Sequence, residues 1–539
     1  MRVTRISRRT LLGSALVLPA LDLARAADVT GPLTQQQGHL LAIARRQDAA
    51  EAELKATLPL HETNGDEDRY PDRRASFSKT LPHDDLGEVD RDAYRRWLAI
   101  LASGKYEQFE RAPRDPQATQ RLNNPQATYA TDLVGTDPTA LPLFPPPAFA
   151  SQAIATEMTE LYWLALMRDV PFREYSAHPL AAAAVADLRS VGFGRIEEES
   201  LFRSQAVGDL RGPFVSQFLL LDIPYGLKTV DQRYRVPAQG QYFITTFQEW
   251  LACQRGAAPT VTVRFEQKSR YIANYRALAE YVHRDFSFQA FLNAALISLQ
   301  MGGQHGDEVL SPTNPYRGSR AEFGDITFGS KNLLSLLAQA SLLAQKTSYY
   351  QKWQVHRRGR PESFGGRIDV HLTGRKDYDV DPAILHSEGS ARVKALTGSY
   401  LLPTAYPEGC PTHPAYPAAH AVNAGACATV LKAFLDENYT LAKPVEASSD
   451  GSQLEPWHGE ALTLGGEIDK LASNIALARD AAGVHFRSDS IEGLKLGEEV
   501  AMGLLADYSR TYSERFEGFI FTRMGGHRVR ITAGAVKAD

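Results

Sequence analysis

Apolar residues recur at helical spacing through most of this chain. The stretches HLLAIARRQDAAEAELKATL (39–58), AIATEMTELYWLALMRDV (153–170), NYRALAEYVHRDFSFQAFLNAALISLQM (274–301) and KNLLSLLAQASLLAQKTSYYQKWQVHRR (331–358) carry the three-and-four spacing of amphipathic helices. AAHAVNAGACATVLKAFLDE (418–437), GEALTLGGEIDKLASNIALARDAAG (459–483) and IEGLKLGEEVAMGLLADYSRTYSE (491–514) continue it. Strand signals are sparse. Two short runs around Gly525-Gly526 in FEGFIFTRMGGHRVRITAG (516–534) predict a C-terminal hairpin. Residues 60–150 are rich in Pro, Asp, Asn and Arg, the pattern of long wrapping loops or a linker, and residues 223–243 read as a second irregular insert. No internal repeat is visible. The expectation is a mainly α fold, with helical bundles, long wrapping loops and a small C-terminal β-hairpin, and with residues 27–539 forming a single α-helical domain.

Composition narrows the function only slightly. Of 539 residues, 43% are apolar and 23% charged, which is ordinary for a globular protein. The formal net charge of −4 gives no support to nucleic acid as the main partner, because phosphate backbones demand a basic face. The N-terminus is more informative. Paired Arg8 and Arg9, then Thr10-Leu11-Leu12, an apolar run to Leu21 and the small-residue site Ala24-Arg25-Ala26 form a signal peptide over residues 1–26. The arginine pair resembles a twin-arginine signal, so an exported, periplasmic or secreted protein is expected. The run is too short to span a bilayer, which needs about 20 apolar residues, and no other run suffices. Cys253, Cys410 and Cys427 match no metal spacing; one disulfide or three buried thiols are both open.

Three clusters carry candidate chemistry. KWQVHRRGRP (352–361) supplies Lys352 and Arg360, eight apart, expected to share one helix face before Pro361 stops the helix. HPAYPAAHA (413–421) places His413 and His420 seven apart, with Pro417 ahead of a helix that starts near Ala418, Ala419 and His420. Free N–H groups at a helix start bind anions. ARDAAGVHFRSD (478–489) places Arg479 and His485 six apart, with Asp489 four beyond the histidine. Such an Asp is well spaced to accept from Nδ1 of His485, leaving Nε2 as a lone-pair donor for a metal. Each cluster alone reads as surface charge. Together they supply three cations and two imidazoles for a multiply charged oxyanion.

In this order the clusters resemble the vanadium-dependent haloperoxidases and the acid phosphatases that share their active site, and the segments at 350–367 and 412–434 look most like the algal and cyanobacterial bromoperoxidase branch. The clear similarity covers about residues 320–539. It implies vanadate as cofactor, His485 as axial vanadium ligand with Asp489 behind it, and Lys352, Arg360 and Arg479 as counter-charges. It also implies a backbone N–H from Ala419, His420 as the acid–base residue, and His413 near the halide. Hydrogen peroxide, bromide or iodide and a small organic compound would be the substrates. Phosphate is expected to fit the same site, and a homodimer or larger homo-oligomer is expected. The spacing of eight between Lys352 and Arg360, and Ala478 before Arg479, lean away from the phosphatases.

One departure stands out. The family places Ser-Gly before its acid–base histidine; this chain has Ala418-Ala419. A lost hydrogen bond to a charged oxygen costs about 1.5–3 kcal/mol. The expectation is a weakened or retuned anion site. A phosphomonoesterase, and a vanadium-free acid–base enzyme or phosphate-binding protein, stand beside the haloperoxidase as alternatives.

Overall fold

The computed structural model describes residues 32–302 and 307–539, so the signal segment 1–26 lies outside the described residues. The fold is mainly helical. Helices of eight residues or more run α1 Gln35–Lys55, α2 Arg91–Ser103, α3 Gln152–Leu166, α4 Pro179–Ser190, α5 Phe247–Gln254, α6 Tyr275–Arg284, α7 Gln289–Met301, α8 Ser330–Tyr350, α9 Pro361–Leu372, α10 Glu388–Thr397, α11 Ala419–Phe434, α12 Leu464–Ala481 and α13 Arg487–Ser509. Two short antiparallel pairs, β1 Ile223–Tyr225 with β2 Lys228–Val230 and β3 Val445–Ala447 with β4 Leu454–Pro456, sit in loops. The expected C-terminal hairpin gains a third strand: β5 Phe519–Thr522, β6 Arg528–Thr532 and β7 Ala535–Ala538 form one antiparallel sheet.

Three expectations about helices need correction. The periodic run 274–301 is two helices, α6 and α7, broken at residues 285–288. Lys352 and Arg360 do not share a helix face. Past α8 the chain widens into a single π turn, Gln351–His356, then takes a left-handed step at Arg357 (φ 42°), and Arg358 pairs with Ser76 in an isolated bridge. Pro361 does not stop a helix; it opens α9 at the first position, where its missing N–H costs nothing. Residues 60–150 wrap as expected but include α2 and are no linker. Phe77, Tyr94, Trp97 and Leu101 form a satellite core around Trp353, with Trp97 and Phe77 each edge-on to the Trp353 ring at 5.6 Å. This aromatic packing fixes the π turn that carries Lys352.

Helix α11 is the axis of the core. Every residue in it except His420 is buried, which is why its sequence is apolar all round. It packs on α8, α12 and α13. The contact with α13 is a backbone contact made possible by glycine. A Cβ on Gly497 would lie 2.1 Å from the Val422 carbonyl oxygen, and one on Gly425 would lie 2.1 Å from that of Leu494. The close approach brings the start of α11 onto the first turn of α13, where the Ala418 N–H donates to the Asp489 carbonyl at 2.9 Å.

Gly497→Ala should therefore force the two helices apart. Overpacking of this kind costs about 1–3 kcal/mol. A urea midpoint lowered accordingly is the expected result, and an unchanged midpoint would contradict the backbone contact.

Candidate active site

Helix ends and one loop bring the three sequence clusters together. Lys352 comes from the π turn, Arg360 from the extended step before α9, His413 from the loop before α11, His420 from the first turn of α11, Arg479 from the last turn of α12, His485 from the α12–α13 turn, and Asp489 from the first turn of α13. Gly483 (φ 78°) adopts the left-handed conformation that lets the chain reverse between Arg479 and His485.

The three cations are buried, and among the described residues none pairs with a carboxylate. Lys352 Nζ donates to the carbonyls of Pro414 (2.8 Å) and Ala415 (2.7 Å), which leaves one ammonium proton free. Arg360 Nε donates to the His413 carbonyl (2.9 Å) and Nη1 to that of Val484 (2.8 Å). Arg479 Nη1 donates to the Val282 carbonyl (3.0 Å) and approaches the Tyr406 hydroxyl (3.3 Å), while its Nε is buried with no partner. Several other buried cations are neutralised directly, Lys79 by Glu362, Lys432 by Asp469, Lys470 by Glu467 and Arg487 by Glu160; Arg168 and Arg367 are also buried without a carboxylate and donate to backbone carbonyls, but they stand singly rather than in a cluster. Burial first, and then repulsion from Arg360 and Arg479, holds the Lys352 ammonium well below its ordinary pKa. Burial and like charge both disfavour the charged ammonium, and an anion placed among the three side chains would favour it again.

His485 has one tautomer open to it. Its Nδ1 lies 2.9 Å from Asp489 Oδ2, and its Nε2 lies 2.9 Å from Arg360 Nη1. A carboxylate only accepts and a guanidinium only donates, so Nδ1 carries the proton and Nε2 the lone pair. Burial, followed by Arg360, Lys352 and Arg479, keeps the ring well below its ordinary pKa and therefore neutral. Asp489 is itself fixed, because Oδ2 also accepts from the Phe486 N–H (3.0 Å) and Oδ1 accepts from Arg358 Nη1 (2.6 Å). Arg358 reaches on to Glu157 at 3.3 Å.

His420 donates from Nε2 to Asp285 Oδ1 at 3.1 Å, leaving Nδ1 as the nitrogen that can exchange a proton. His413 is buried and tilted over Tyr349 at 5.4 Å, and its Nδ1 lies between Arg360 Nη2 (3.1 Å), a donor, and the Pro414 carbonyl (3.2 Å), an acceptor. Burial, then Arg360 and Lys352, hold it neutral as well. Helix α11 has no side-chain cap at Ala418, so its first-turn amides stay available to an anion. The Ala418 methyl is fully buried in the main apolar cluster. Ala419 begins the helix with no left-handed backbone that would require glycine.

Asp285, Val282, Tyr406 and Arg358 escaped sequence reasoning. Asp285 lies 135 residues from His420, Val282 offers only its carbonyl, and Arg358 is one of several arginines in a single run. All three cysteines are buried and unpaired, which settles that alternative.

The donor set suits an oxyanion that carries its own metal. Among the described residues no three His, Cys, Asp or Glu side chains converge on a bare metal ion. One neutral imidazole, three unpaired cations, an orphaned guanidinium N–H and a free helix start instead suit a tetrahedral, multiply charged oxyanion such as vanadate or phosphate.

Comparison with known proteins agrees. A family model described as the VCPO second helical-bundle domain matches residues 386–514. A vanadium-dependent bromoperoxidase of Ascophyllum nodosum is 35% identical, over 89% of this chain and 90% of that protein. One from Corallina pilulifera is 31% identical, over 87% and 94%. A solved homohexameric vanadate-dependent bromoperoxidase of Ascophyllum nodosum superposes with a TM-score of 0.88 at 27% identity, covering 99% of this chain and 94% of that one.

Ala418→Ser tests the alanine pair. A hydroxyl at the helix start adds a donor beside the free amides, at about 1.5–3 kcal/mol for a bond to a charged oxygen. Vanadate affinity of the apo-protein should rise on the order of tenfold or more. Weaker binding, or a higher melting temperature without tighter binding, would mean that the serine serves only the helix or the core.

Proposed function

This chain belongs to the vanadium-dependent haloperoxidase family, and we propose that its cation cluster holds vanadate and that it oxidises bromide or iodide with hydrogen peroxide. The observation that carries this reading is the convergence of Lys352, Arg360 and Arg479, without a carboxylate, on the lone pair of a neutral His485. The phosphomonoesterase and the vanadium-free alternatives are not favoured, because the similar curated proteins are bromoperoxidases.

The assigned roles follow from donors and acceptors. His485 Nε2 would hold the vanadium, and Asp489 holds the tautomer that leaves its lone pair free. Arg360 Nη1 lies 2.9 Å from Nε2, so the same guanidinium would be within reach of an anion oxygen held beside that nitrogen. The remaining Lys352 proton, Arg479 Nε and the Ala419 and His420 amides complete the cradle. Bound vanadate supplies a Lewis-acidic centre that activates peroxide without changing its own oxidation state. Overall, hydrogen peroxide, a halide ion and one proton give hypohalous acid and water, and the hypohalous species halogenates organic compounds. His420, oriented by Asp285, moves the proton. His413 is uncharged and so offers halide a hydrogen bond without a full positive charge, which favours the more easily oxidised bromide and iodide over chloride.

Two further proposals rest on single observations. Export is supported by Arg8-Arg9, the short apolar run and Ala24-Arg25-Ala26. Assembly into a homodimer or larger oligomer is supported by α1, a 21-residue helix with no buried residue. A helix of that length is marginal in water without packing. Leu54, Leu58 and Leu60, at and beyond its end, are also exposed.

His485→Ala should abolish vanadate-dependent bromide oxidation and vanadate binding together. In the wild type kcat/KM should be larger for bromide than for chloride. Undiminished oxidation in the variant would refute the ligand assignment, and a chloride preference would refute the role of His413. Light scattering of the full chain should give at least twice the monomer mass, and removal of residues 32–60 should reduce it; a monomeric full chain would refute assembly.

A further inference from the structure

The C-terminal end of α6 touches the oxyanion site through two residues. The Val282 carbonyl holds Arg479, and Asp285 holds His420. His283 lies between them in sequence and makes no hydrogen bond to Arg479 or His420. Its ring stacks face to face on Tyr406, with centroids 3.8 Å apart and planes 15° apart. The Tyr406 hydroxyl donates to the Ala279 carbonyl (2.6 Å) and lies 3.3 Å from Arg479 Nη1, and the Arg479 guanidinium sits 5.5 Å from the Tyr406 ring centroid. Tyr406 is therefore the wall against which Arg479 rests, and His283 backs that wall.

His283 is held at both nitrogens. Nδ1 is 3.2 Å from Glu280 Oε2, and Nε2 is 2.6 Å from Glu408 Oε1. An imidazole with a carboxylate on each nitrogen satisfies both only as the imidazolium. The clamp is anchored on each side. Arg284 Nε donates to Glu280 Oε1 at 3.0 Å. Lys79 Nζ, paired with Glu362, donates to the carbonyls of Glu408 (2.9 Å) and Cys410 (2.6 Å). Glu408 also lines an open cleft of about 920 Å³ with Pro407, Tyr242, Phe243 and Arg264, so one end of the clamp reaches solvent.

We propose that His283 is a positioning residue for the oxyanion site: clamped between Glu280 and Glu408 and stacked on Tyr406, it fixes the Tyr406 ring and through it the Arg479 guanidinium. The inference rests on the oxyanion reading of Lys352, Arg360, Arg479 and His485. The charged and titratable groups around His283 are Glu280, Arg284 and Asp285 from α6 and its end, Tyr406 and Glu408 from the facing loop, Lys79 behind Glu408, and Arg479 beyond Tyr406. Although burial alone would lower its pKa, the hydrogen bonds to Glu280 and Glu408 raise it above the ordinary histidine value. A raised pKa means that the clamp is intact at lower pH and is lost as pH rises through that raised value. Coupling is reciprocal, so the oxyanion binds more tightly when His283 is charged.

The test is a calorimetric titration of full-length, vanadate-free protein with inorganic phosphate between about pH 6 and pH 9, the range that brackets a raised histidine. Phosphate ionises identically in every titration, so its own contribution cancels in wild-type to variant ratios. The wild type should show an affinity step that His283→Gln lacks, and below the step His283→Gln should bind about fivefold more weakly. Glu408→Gln, a change at the cleft rim that should not threaten folding, should move the step to lower pH. Tyr406→Phe keeps the stacked ring but removes the hydroxyl, and the double variant His283→Gln/Tyr406→Phe should be weaker by less than the product of the single effects. A step that survives in His283→Gln, a step that Glu408→Gln leaves in place, or strictly multiplicative effects would overturn the proposal. A wild type that binds neither phosphate nor vanadate would instead overturn the oxyanion site itself, and this proposal with it.

Discussion

Three buried cations without a carboxylate set the terms for the rest of this structure. An isolated ion inside a protein costs several kcal/mol even after relaxation, and Lys352, Arg360 and Arg479 add mutual repulsion to that cost. Backbone carbonyls of Pro414, Ala415, His413, Val484 and Val282 satisfy the N–H groups but not the charge. On the proposed reading the deficit is met by a small, multiply charged anion, and occupancy is then coupled to stability, since a ligand that binds only the native state stabilises it by mass action. The same positive field, together with burial, keeps His485 and His413 neutral, so that His485 Nε2 offers a lone pair.

Holding such a cluster together requires a stiff frame, and the frame is built from backbone contacts and aromatic packing. Glycines at 425 and 497 let α11 and α13 touch, which seats the free amides of α11 against the turn that bears His485 and Asp489. Trp353, enclosed by Phe77 and Trp97, holds the π turn that aims Lys352. Asp489 divides its oxygens between His485 and Arg358, and Arg358 continues to Glu157 in α3, so the tautomer of His485 is set by a chain of partners that ends on another helix.

Much of this was legible in the sequence, and the residues show why. Lys352, Arg360, His413, His420, Arg479, His485 and Asp489 were all named from local spacing, and the helical periodicity of 418–437 and 459–483 located the helix ends that carry them. What periodicity could not show was the change of backbone between Lys352 and Arg360, because a π turn and a left-handed residue leave no repeating pattern. Partners distant in the chain were equally hidden. Asp285 meets His420 only after α6 packs on α12, which itself packs on α11, and Val282 contributes a carbonyl that every residue possesses. The break between α6 and α7 fell inside a continuous apolar run, and α2 was obscured by the polar loops around it. The Ala418-Ala419 pair, alarming as a motif, is mild in three dimensions: the helix start is intact, no left-handed residue is needed, and only a hydroxyl is missing.

The central claim is that the unpaired cations exist to hold vanadate on His485. A crystal structure of the vanadate-loaded protein, with the metal located by anomalous scattering, tests this most directly. The account predicts vanadium bonded to His485 Nε2, Arg360 Nη1 turned from that nitrogen to an oxygen of the anion, and Lys352 and Arg479 within hydrogen-bond reach of the others. Vanadium bound elsewhere, or Arg360 still donating to His485 Nε2 beside a bound anion, would contradict it.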